Sequence, residues 1–154
     1  MSKTKIELTK QMLIDQQIEI FVDGHTSSDW VTGVLPDDNS EIEIFHRSTR
    51  GWSKLNSRPN VTKHPKGIKK ECVYIMVSWS DYARSKKQWS IPMQRLLYAW
   101  FHGTAHAGLE IMHIDGNSLN NKVSNLKEGT HEENLAQRTG AINQYGLRKR
   151  DRNE

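Results

Sequence analysis

The chain has 154 residues, of which 35% are hydrophobic and 26% charged, with a formal net charge of +4 and a pI near 9.2. That is the size of one ordinary domain with enough apolar mass to build a core, and the composition is not that of a disordered chain. The single cysteine, Cys72, excludes an internal disulfide framework and a cysteine-rich zinc site. The first ten residues have no apolar signal-like region and no stretch approaches a membrane span, so the expectation is a soluble protein of the cytoplasm.

Charge is unevenly arranged. Residues 1–45 hold three Lys/Arg against nine Asp/Glu, residues 46–95 hold twelve against two, and residues 138–154 hold five against two. A basic block of that size suits a polyphosphate partner, although a solvated basic face carries the same signature.

In chain order, Thr9 caps a short expected helix that gives way to a strand over Ile18–Val22, closed by an Asp23-Gly24 turn. Trp30–Leu35 and Glu41–Phe45 read as two strands around a Pro36–Ser40 turn. His46–Lys70, with Gly51, Pro59, Pro65 and Gly67, reads as loops. Val73–Trp79 and Gln88–Ile91 read as paired strands, and Met93–Phe101 as a packed helix that follows Pro92 and stops at Gly103. Beyond Leu109 the pattern predicts a short strand, an Asn-rich loop, a second short strand and a helix from about Thr130. Trp79, Trp89 and Trp100 are expected in the core. His46, His64, His102 and His106 show no ligand spacing, since Gly103 interrupts the helix that a His102/His106 pair would need.

The segment richest in chemistry is Ile111-Met112-His113-Ile114-Asp115-Gly116-Asn117, continuing through Asn120, Asn121, Asn125 and Leu126 to Thr130-His131-Glu132-Glu133-Asn134. Five asparagines between 117 and 134 describe a tightly shaped loop, because Asn tolerates left-handed backbone and bonds to its own main chain. The pattern H-x-D-G-N-x-x-N-N-x-x-x-N-L followed by T-x-x-E-N resembles the HNH endonucleases, in particular the phage and intron homing type. The likeness extends over roughly residues 73–138, including the lead-in from Ile91 to Phe101.

The resemblance implies an α+β protein with a small ββα-metal nuclease core over residues 71–138. An N-terminal mixed region of short strands and helix over 1–70 precedes it, and a basic tail over 139–154 follows. It implies metal-dependent hydrolysis of phosphodiester bonds in double-stranded DNA, by nicking or double-strand cleavage, with Mg²⁺ or Mn²⁺ as cofactor and no membrane partner. His113 is the implied general base, an imidazole with a pKa suited to activating water. Asn134 is the implied metal ligand through its amide oxygen, Asn125 the residue that ties the two strands, and His131 a phosphate or metal-site contact. Many relatives carry Asp or His immediately before the base, where this chain has Met112. A thioether is a poor ligand for Mg²⁺, which leaves Asp115, Glu133 or water to complete the shell, with Asp115 ranked first.

The phosphate contacts expected from the basic stretch are Arg47, Arg50, Lys54, Arg58, Lys63, Lys66, Lys69, Lys70, Arg84, Lys86 and Lys87, with Trp52 as an aromatic among them. Arg148, Lys149 and Arg150 in the tail would add sequence-independent affinity. Any sequence-specific reading is expected from residues 1–90. Met112 keeps open a second reading, a catalytically inactive scaffold that only binds DNA, and a structured-RNA nuclease is a third.

Overall fold

Apolar residues at alternate positions set most of the architecture. The computed structural model describes residues 7–48, 51–55, 57–62, 72–80 and 88–134. Among these, strands dominate and helices are few, so the class is α+β.

Strand β1 (Leu8–Thr9) leads into helix α1 (Lys10–Asp15), whose first turn is capped by the Thr9 hydroxyl accepting the Met12 N–H at 3.1 Å. β2 (Ile18–Val22) is central in a four-stranded sheet with the short β3 (His25–Thr26) on one side and β4 (Ile42–Ser48) on the other, and β5 (Gly51–Lys54) beyond β4. β6 (Ser57–Thr62), β7 (Cys72–Ser80) and β8 (Gln88–Pro92) form an antiparallel three-stranded sheet. Helix α2 (Met93–His102) follows directly and ends where Gly103, at φ 94°, donates its N–H to the Ala99 carbonyl. β9 (Thr104–Ala105) returns to pair with β1, and β10 (Glu110–His113) pairs antiparallel with β11 (Leu126–Gly129).

Two expectations are corrected here. Trp30–Leu35 is not a strand; it crosses the surface in turns, with the Gly33 N–H tied to the Phe101 carbonyl and Val31 73% exposed. β4 pairs with β2 and β5 instead. Within His46–Lys70 the described residues are mostly strand and not loop: β4 continues to Ser48 and β5 and β6 follow, while residues 63–70 lie outside the described residues. Pro59 is accommodated because β6 is an edge strand, where a missing N–H need break no ladder bond. The expected strands over Ile18–Val22, Val73–Trp79 and Gln88–Ile91, and the helix over Met93–Phe101, are present.

One hydrophobic cluster serves the whole described chain. Leu13, Ile20 and Ile44 from the first half join Val77, Trp79, Leu96, Trp100, Phe101, Val123 and Leu126 from the second. Trp89 stacks on Trp79 at 5.5 Å. A buried polar chain locks α2 to the first sheet: Trp100 Nε1 donates to Ser27 Oγ at 2.9 Å, and Ser27 Oγ donates to the Ile20 carbonyl at 2.6 Å. Glu19 completes it by accepting the Ser27 and Ser28 N–H groups. Such a chain is stabilising only while every member is satisfied, which fixes the placement of α2. Among the described residues no helix is long and apolar enough to cross a membrane.

Candidate active site

The β10–β11 hairpin carries the site. Pairing His113 with Leu126 and Glu110 with Gly129 fixes the register, and alternation along β10 puts Ile111 and His113 on one face and Glu110 and Met112 on the other. The approach to β10 is held by Arg95 of α2, a buried guanidinium whose N–H groups donate to the carbonyls of Ala105, His106 and Leu109 at 3.2–3.4 Å. Burial lowers the Arg95 pKa and the charge of Glu128 on β11 opposes that, so a buried cation is compensated between helix and hairpin.

His113 is 7% exposed at the end of β10. Its Nε2–H donates to Asn121 Oδ1 at 2.8 Å, a tautomer set by the amide oxygen, which can only accept. Nδ1 is therefore the lone-pair nitrogen. Burial lowers the His113 pKa, partly offset by the Asn121 hydrogen bond and the Asp115 charge, so the imidazole is neutral near pH 7. A cleft of about 350 Å³ opens beside Asn121, bounded by Asp38, Glu43, Lys54, Met93, Leu97 and Lys122.

Asp115 and Asn125 are the two centres of the loop. Asn125 Oδ1 accepts the Asp115 N–H at 3.0 Å, while Asn125 Nδ2 donates to Asp115 Oδ1 and to the Asn120 carbonyl, both at 2.9 Å. Asp115 Oδ1 also accepts the Asn117 N–H, and Oδ2 accepts Asn120 Nδ2, each at 2.8 Å. Burial pushes the Asp115 carboxyl up, but these hydrogen bonds and the nearby His113 hold it below the usual carboxylate value. Both carboxylate oxygens are thus engaged in shaping the loop.

On the opposite face, a helical turn over 131–134 begins with a capping box. Thr130 Oγ1 accepts the Glu133 N–H at 3.0 Å and Glu133 Oε1 accepts the Thr130 N–H at 2.8 Å. That turn brings His131 and Asn134 to Glu110: His131 Nδ1 lies 2.7 Å from Oε2, and Asn134 Nδ2 donates to Oε1 at 2.7 Å. Met112 is buried against Gly129, where a Cβ would collide with the Met112 sulfur. Among the described residues no three His, Cys, Asp or Glu side chains converge as a metal site.

Of the residues expected to meet DNA, Arg47 and Trp52 are exposed cross-strand partners on β4 and β5, the guanidinium 6.0 Å from the indole ring. Lys54 is exposed but paired with Glu43 at 3.0 Å. Arg58 lies in β6. Arg50, Lys63, Lys66, Lys69, Lys70, Arg84, Lys86, Lys87, Arg148, Lys149 and Arg150 fall outside the described residues. Sequence reasoning missed Glu110, Arg95 and Asn121 as site residues. Only Asn121 left a signal, as the second of the paired asparagines in the motif.

No curated protein and no solved structure matches the chain. Residues 92–136, from the start of α2 through the Asn-rich loop to the helical turn, match the family model of the HNH endonucleases.

Proposed function

We propose that this protein is a metal-dependent endonuclease that hydrolyses phosphodiester bonds of double-stranded DNA, with β10, β11 and the helical turn after Thr130 serving as a ββα-metal core. The observation that carries the reading is the buried, neutral His113 whose Nε2–H is committed to Asn121. An imidazole held in that tautomer offers Nδ1 to remove a proton from water, the role of a general base.

Asn125 and Asp115 act as the brace of the loop, setting the direction of His113 through their reciprocal hydrogen bonds. Asn134 fits a hard divalent cation as an amide-oxygen ligand, with His131 beside it, and both sit next to a carboxylate. A bound Mg²⁺ or Mn²⁺ supplies charge stabilisation at the phosphate and the leaving oxygen. Arg47 and Trp52, with the basic stretch that follows, lie along DNA phosphates and hold the duplex in register. The spacing shared with phage and intron homing nucleases supports a homing role for a phage-encoded enzyme.

Burial of Met112 where relatives carry a ligand favours a second reading, a DNA-binding domain without catalysis. A supercoiled-plasmid assay separates the two. Metal-dependent nicking, abolished by EDTA and reduced roughly 10²–10⁴-fold in His113→Ala while DNA binding persists, supports the nuclease. Salt-sensitive DNA binding with no nicking in Mg²⁺ or Mn²⁺ overturns it in favour of the scaffold.

A further inference from the structure

Met112 stands where the resemblance implies a carboxylate or imidazole, and its thioether is packed out of reach against Gly129. Two residues earlier, the pleat returns Glu110 to the same face of β10. Its side chain is 24% exposed, and each carboxylate oxygen meets a different partner from the helical turn, His131 Nδ1 and Asn134 Nδ2, both at 2.7 Å. A carboxylate, an imidazole and an amide therefore converge from positions 21 and 24 residues apart in sequence. The other candidate carboxylates are engaged elsewhere: both Asp115 oxygens by the loop, and Glu133 Oε1 by the Thr130 N–H.

We propose that Glu110 supplies the anionic ligand that Met112 cannot, holding the divalent cation together with Asn134 and His131. This rests on the metal-dependent reading given above and names the residue that completes its shell. Two nitrogen donors now compensate the Glu110 charge. A half-turn of the Asn134 amide exchanges Nδ2 for Oδ1, and the Nε2–H tautomer of His131 leaves a lone pair on Nδ1, so the same three side chains can offer oxygen and nitrogen donors to a cation. Carboxylate and amide oxygens suit Mg²⁺, and the imidazole adds a preference for Mn²⁺ over Mg²⁺.

The test is a Mn²⁺ titration of the full chain followed by electron paramagnetic resonance, with plasmid nicking measured on the same samples. Glu110→Gln keeps the size but loses the charge and one of the two acceptor oxygens, and is expected to weaken Mn²⁺ binding by about tenfold or more. Asn134→Ala reads the same site from the helical turn and is expected to weaken Mn²⁺ binding to a similar degree. Wild-type affinity in Glu110→Gln or in Asn134→Ala, with nicking intact, overturns this assignment and leaves the nuclease standing. Wild-type protein that neither binds Mn²⁺ nor nicks DNA removes both.

Discussion

His113 and Asn121 are eight residues apart and meet through a 2.8 Å hydrogen bond in which the imidazole Nε2–H donates to the amide oxygen. That contact selects the tautomer of a buried ring. Asn121→Ala removes the selection without touching the base. It is expected to lower kcat by less than the roughly 10²–10⁴-fold loss of the base itself, with KM little changed. Asn121→Asp keeps an acceptor and adds a negative charge, which raises the His113 pKa and moves the acid limb of the nicking profile to higher pH. An Asn121→Asp profile that overlays the wild type would show that this contact does not govern the ring.

Protonation should also limit stability on the acid side. Burial lowers the folded-state pKa of His46, His102 and His113 from the ordinary 6.5. Above about 6.5 these rings are neutral folded and unfolded, and their contribution is fully present. As pH falls below that value the unfolded chain binds protons first, so stability declines until the folded-state pKa values are reached. Thermal melts at pH 7.5, 6.0 and 5.0 are expected to show a falling Tm, with a shallower fall in His46→Gln and His102→Gln. A Tm flat across that range would contradict the burial argument.

The brace between Asp115 and Asn125 makes a sharper distinction. Asn125→Ala removes one accepted and two donated hydrogen bonds, an expected cost of about 1 kcal/mol, since Asp115 is exposed and water takes over part of the bonding. Asn125→Asp looks gentler but places a second carboxylate where the amide now donates at 2.9 Å to Asp115. It should therefore be the more damaging of the two near neutral pH, and should recover partly as pH drops and a carboxyl takes up a proton. Chemical denaturation at pH 7 and pH 5 reads both effects, and Asn125→Asp matching the wild type at pH 7 would rule the brace out.

How far the sequence carried depended on the range of the interaction. Ile18–Val22 and the hairpin around the Asn-rich loop were legible because periodicity and turn chemistry are local, and the loop wrote its own Asx bonds into its asparagines. Trp30–Leu35 has the apolar content of a strand, but Gly33 adopts φ 96° and Trp30 packs edge-on against Phe101 of α2, so a tertiary contact outweighed propensity. Pro59 and Gly51 advertised loops and stand instead at an edge strand and at the start of β5. In the site, His113 and Asn134 could be singled out by motif spacing. Glu110 could not, because its meaning arises only when a helical turn two dozen residues later closes over it.

If the proposed function holds, the hairpin of β4 and β5 is where DNA contact can be tested. Arg47 and Trp52 face each other across the register, both exposed, with the cation 6.0 Å from the ring. An exposed cation over an indole keeps its charge available to a phosphate while the ring restricts where it can swing. If Arg47 neutralises one phosphate, Arg47→Ala should weaken binding about equally across DNA sequences and reduce the slope of log K against log salt by about 1. Trp52→Ala removes no charge, so its slope should match the wild type while affinity falls through looser placement of Arg47. Fluorescence anisotropy with two unrelated duplexes at several salt concentrations separates the terms. An unchanged slope in Arg47→Ala would take this hairpin away from the phosphate backbone and leave DNA binding to the basic residues elsewhere in the chain.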